Sequence, residues 1–146
     1  MTMTGAYLTG PALTEAVHEL LEHEPELPWR GRSGYLSTGE QVARHLEATQ
    51  RLMRSDPSWD PQIAVPHHGR ELRNALKSTV ADGQGTEDTA DLAEQVIELV
   101  LRVRTGAPMI FVHRWARHPH LTLDILLEHL AAAAGVAREI GPTASN

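Results

Sequence analysis

The sequence predicts an all-α fold, about five helices packed as a small bundle in one domain, with a short strand or a buried extended linker at residues 109–113. Three observations carry this expectation. Aromatic residues are scarce, with one Phe, two Tyr and three Trp in 146 positions. The core must then come from Leu, Val, Ile and Ala, a composition that suits helix packing better than a β-sandwich. Apolar residues also recur at three- and four-residue spacing in successive windows, and Pro, Gly and hydroxyl residues stand where helices would start and stop.

The first helix is expected from about Pro11 to Glu24, with Pro11 in its first turn and Leu13, Val17, Leu20 and Leu21 as its stripe. A loop follows, holding Pro25, Pro28, Gly31 and Gly34 together with Trp29, Arg30 and Arg32. The second helix is read from a capping box, Ser37-x-x-Glu40, to about Arg54, with Val42, Leu46, Thr49 and Met53 on one face. Pro57, Pro61 and Pro66 then surround Trp59 in a turn-rich connector. A third helix covers about Gly69 to Ala81, and Gly83 and Gly85 break it. The fourth starts near Thr86, where Glu87 and Asp88 complement the helix dipole, and ends near Gly106. Its inward residues are Leu92, Val96, Leu99, Val100 and Val103. The fifth spans about Pro119 to Arg138 and stops before Gly141-Pro142, its Ala131–Ala134 run suited to close helix approach. Residues 1–8 and 141–146 are expected as loose tails.

The length suits one domain with a real core, and a hydrophobic fraction of 41% argues for a globule. There is no cysteine, which removes disulfides, thiolate metal sites and cysteine nucleophiles together. The net charge of −6 is laid out in blocks. Residues 1–29 carry five Glu and no cation, and residues 80–100 carry six acids and no cation. Residues 30–79 and 101–146 are net positive, by +3 and +2. Such alternation suits a polar contact surface, whereas a nucleic-acid binder would show a dominant basic patch. Residues 1–29 offer no basic n-region of a signal peptide, and Leu121–Ala137 carries Asp124, Glu128 and His129, which disqualifies it as a membrane span. The expectation is a soluble cytoplasmic protein with no nucleic-acid or membrane partner.

Ala107–Leu130 is the most informative stretch: the apolar run Met109–Val112 leads into a connector with three His, two Arg and a Trp, then into the most hydrophobic helix. His113, His118 and His120 fall within eight residues, and Pro119 holds His118 and His120 in an extended segment, as a divalent metal such as zinc would require. The alternative is that His118 caps the helix and that no cofactor is bound. His45 and His129 each lie near the centre of an apolar helix face. They are expected either as buried imidazoles satisfied by the protein or as an acid/base pair in a pocket between the second and fifth helices. In the enzyme reading Asp124 or Glu128 stands nearby, and Arg114 or Arg117 holds an anionic substrate. Trp29, Trp59 and Trp115, each in a loop and with Arg30, Arg114 and Arg117 beside two of them, either lid the core or form the rim of a partner site. Glu15-x-x-His18 lacks the second motif of a di-iron bundle, and the His18–His23 segment misplaces the second His of a zincin helix.

From Tyr35 onward the sequence resembles a family of small actinobacterial proteins carried on chromosomes, plasmids and phages. The residues concerned are Trp115, Thr122 and Leu123-Asp124-Ile125-Leu126-Leu127, where the family has a Trp-Asn-Asp, a gap, a Thr and a Val-Leu-x-x-Leu helix. Ala116-Arg117 replaces the Asn-Asp, and a Trp-Cys-Ala-like middle motif is missing. The resemblance implies a helical fold and an actinobacterial origin, with no activity to carry over. The sequence therefore points first to a non-enzymatic accessory or regulatory protein that binds another protein, with a homodimer as one form of that binding. Its expected contact residues are Trp115, Arg114 and Arg117, with Trp29 and Trp59. The alternative is a small His-dependent enzyme or ligand-binding protein.

Overall fold

Four helices begin at a threonine, and three of them use the hydroxyl to satisfy an amide that the helix leaves orphaned. Thr38 Oγ1 accepts from Gln41 N at 3.0 Å while Gln41 Oε1 accepts from Thr38 N at 2.8 Å. Thr86 and Thr89 repeat the reciprocal arrangement, and Thr122 accepts from Ile125 N at 3.2 Å. In a computed structural model that describes residues 8–24, 27–61, 71–116 and 121–144, five helices follow from these and weaker signals: α1 (Gly10–Glu22), α2 (Gly39–Arg54), α3 (Leu72–Ala81), α4 (Glu87–Thr105) and α5 (Leu123–Ile140). The box that starts α2 lies one residue later than Ser37/Glu40, because Thr38 and Gln41 have the same spacing and chemistry. Gly106, at φ +76°, ends α4 in the left-handed conformation open to glycine.

The central pair is α2 and α5, the most extensive helix contact of the fold, and α4 packs against both. α1 lies over α5 and α4, while α3 lies over α2 and α4. The stripe Val42, Leu46, Thr49 and Met53 is fully buried, as are Val96 and Val100 of α4 and Leu130 of α5. At one end of the central pair two glycines allow backbone contact: a Cβ on Gly39 would lie 2.1 Å from Ala137 O, and one on Gly141 within 2.4 Å of Gly39 Cα. Gly39 N also donates to Pro142 O at 2.9 Å. Residues 141 and 142, expected in a loose tail, are thus fastened to the start of α2. Leu8 is fastened as well, by Arg104, as set out below.

Residues 109–113 form no strand. The only β pairing among the described residues is an isolated bridge between Arg30 and Leu36. Phe111 instead precedes one turn of helix, Val112–Trp115, and its carbonyl accepts from Arg114 N and Trp115 N, both at 3.0 Å. With no neighbouring strand to satisfy the amides, a helical turn does so locally while burying Val112. No helix among the described residues is long and apolar enough to cross a membrane.

Candidate functional site

Arg104 closes the inward stripe of α4, one turn after Val100 and Leu101, and its side chain has no exposure to solvent. A buried guanidinium is tolerated only when its donors are matched. Here Nη1 donates to Glu128 Oε1 at 2.6 Å and to His129 Nδ1 at 2.9 Å. Nη2 donates to Glu128 Oε2 at 2.9 Å and to Leu8 O at 3.0 Å, and Nε donates to Leu8 O at 3.1 Å. The fork therefore ties α4 to two consecutive residues of α5 and to the backbone leading into α1.

His129 is 2% exposed, and because its Nδ1 accepts from Arg104, its proton sits on Nε2. Its ring and that of Trp115 meet in a T-shaped pair at a centroid distance of 5.0 Å and an interplanar angle of 88°. Burial, and then the Arg104 charge, push its pKa down to about 4, against the opposing pull of Glu128. At neutral pH this imidazole is uncharged and locked.

His45 lies elsewhere. Its Nε2–H donates to Leu76 O at 3.0 Å, so Nδ1 is the acceptor for the Thr89 hydroxyl at 2.7 Å. Thr49 donates to His45 O at 3.0 Å and lies 2.7 Å from the Thr79 hydroxyl, completing a polar seam between α2, α3 and α4. Burial lowers the His45 pKa, opposed by the bond to Leu76. Its partner Thr89 and His129's partner Arg104 stand fifteen residues apart on α4, or about 22 Å at 1.5 Å per residue. The expected acid/base pair between the second and fifth helices is therefore not assembled. Each imidazole serves a separate end of the core, and α2 meets α5 in direct contact.

The other expected residues divide by burial. Trp29 and Trp59 are 6% and 3% exposed, so their rings lid the core and do not form a rim. Trp115 is half-buried against His129, and the Arg114 guanidinium sits over the Phe111 ring at 5.4 Å. Arg117, His118 and His120 lie outside the described residues, as does the side chain of His113, and the expected His metal site lies with them. Among the described residues no group of three or more His, Asp or Glu is placed to hold a metal ion.

Two surfaces remain. Met109 and Phe111 are 64% and 53% exposed on the connector, and Ile125 is exposed one turn ahead of His129. On the far side of Arg104 and Glu128, a groove of about 600 Å³ opens between α1 and α5. Neither Arg104 nor the groove follows from the residues singled out in the sequence. The available signal was a charged residue continuing the Ile97, Val100 and Leu101 stripe. No family model, curated protein or solved structure matches the chain.

Proposed function

We propose that the protein is a helical, non-enzymatic interaction module that binds another protein through the face formed by Met109, Phe111, Arg114, Trp115 and Ile125, a second copy of itself being the first partner to test. The observation that carries this reading is the exposure of Met109 and Phe111 on an anchored base. Phe111 is the sole phenylalanine of a chain poor in aromatics, yet it faces water. Beneath it Val112 and Ala116 are buried and Trp115 rests on His129. Large apolar side chains held in place lose little conformational freedom on docking, and an aromatic ring beside an arginine is the composition of interface hot spots. The enzyme alternative has less support, since both interior imidazoles are engaged by the protein and stand apart. A cytoplasmic setting fits a chain without cysteine, and an actinobacterial origin rests on the resemblance around Trp115.

Sedimentation equilibrium across the micromolar range tests the proposal. The expected result is a reversible dimer that Phe111→Ser weakens without loss of helicity, because the Phe111 side chain is 53% exposed and lies outside the cluster of buried core residues. A chain that stays monomeric removes self-association. Cross-linking partners in cells that are unchanged by Phe111→Ser would remove this face altogether.

A further inference from the structure

The groove between α1 and α5 has a chemistry of its own. Arg104 and Glu128 close one end beside Thr9, and Glu139 and His18 stand toward the other. His18 also borders Ile140, so the two helices run in the same direction along it. Glu128 to Glu139 spans eleven residues of α5, about 16 Å of groove. The interior is apolar, with Leu13 and Val136 contributing buried side chains. Gly135 forms part of it, and a Cβ added there would meet no atom within 4 Å. A glycine inside a helix lowers stability by about 1 kcal/mol against alanine, and here it leaves open space.

Charge selects the occupant. Glu15 on α1 and Glu139 on α5 both line the groove, and neither makes an ion pair among the described residues. Elsewhere on α5 the acid–arginine contacts are made: Arg138 holds Glu40 and Glu47, and Arg104 holds Glu128. Arg104 is the only arginine or lysine among the groove's described lining, and Glu128 already neutralises it. An anion would be repelled, and a second copy docking the same face would set the carboxylates of two rims against each other. The volume lies within the range of small-molecule sites.

We infer that this groove binds a small hydrophobic amine, its apolar body over Gly135 and Val136 and its ammonium between Glu15 and Glu139. This site is separate from the connector face and does not depend on it.

The test is calorimetric titration of the full chain with n-octylammonium below its micellar range, with n-octanol and octanoate as matched probes. Octylammonium should bind one per chain and about fivefold or more tighter than octanol, with octanoate weakest. Glu15→Gln with Glu139→Gln should erase the preference for the amine and leave octanol binding intact. Gly135→Leu should abolish binding of all three by filling the groove, and Phe111→Ser should change nothing. Equal affinity for amine and alcohol would overturn the inference, as would binding that survives Gly135→Leu. A dimer that Gly135→Leu dissociates would assign the groove to a second copy instead.

Discussion

Protonating His129 should weaken the fold by an amount the structure allows to be worked out. In the unfolded chain an imidazole titrates near pH 6.5, whereas in the fold His129 is pushed down to about 4. The folded pKa is depressed, so the stability is fully present above the unfolded value and is lost as pH falls toward the folded one. Between those limits the unfolded chain holds one proton more than the folded chain, which makes stability fall with acidification. Two and a half units at 1.36 kcal/mol each give about 3 kcal/mol between pH 7 and pH 4. The side chain is 2% exposed, so solvent screening reduces this little. The perturbation is His129→Gln, whose amide oxygen can still accept from Arg104 Nη1 but cannot titrate. Urea unfolding of both proteins at pH 7 and pH 4 then isolates the group, because the carboxylates and His45 cancel in the difference. The wild type should lose about 3 kcal/mol more than the variant over this interval. Equal losses would refute the argument, and so would an imidazole resonance titrating near 6.5 in the folded wild type.

Gly85→Ala should cost about 2–4 kcal/mol in denaturant unfolding. Gly85 sits at φ +79°, and its Cβ would come 2.3 Å from His45 Nδ1 and 2.9 Å from Thr89 Oγ1. Gly83→Ala, also at positive φ but with open space around it, should cost only the conformational part, about 1 kcal/mol. Gly135→Ala should instead raise stability by about 0.5–1 kcal/mol, read as a higher melting temperature. Hydrogen bonds from Arg138, and then from Arg44, hold the Glu40 carboxyl down at about 2. Its small contribution is present above the ordinary carboxylate range and fades as pH falls toward 2. In Arg138→Gln, an NMR titration should find the Glu40 pKa moved up toward 4.5.

The helices were legible because their evidence is local. The Val42, Leu46, Thr49 and Met53 stripe needs only its own periodicity, and all four residues are buried. The start of α2 was displaced by one residue because Ser37/Glu40 and Thr38/Gln41 obey the same capping chemistry, and only backbone direction decides between them. The burial of His45 and His129 could be read from the helical wheel. Their partners could not, since Leu76, Thr89 and Arg104 reach them through tertiary packing. The apolar run at 109–112 suits a short strand and a buried extended linker equally, because hydrophobicity alone carries no partner information. Arg104 breaks its stripe in full view, yet a cation on an apolar face reads as a helix edge until Glu128 and Leu8 are placed around it.

The contact between Gly39 and Gly141 also bears on how fast the chain can reach its fold. Helical proteins fold quickly when neighbours in space are neighbours in sequence, and rates fall as that separation grows. Here the most extensive helix contact joins α2 to α5, and its two glycines lie 102 positions apart. A large loop must close before the central interface yields any burial. α4 meets both helices and lies between them in sequence, which makes it the natural template for that closure. The bundle should therefore assemble more slowly than its helix content suggests, with the glycine contact among the last to lock.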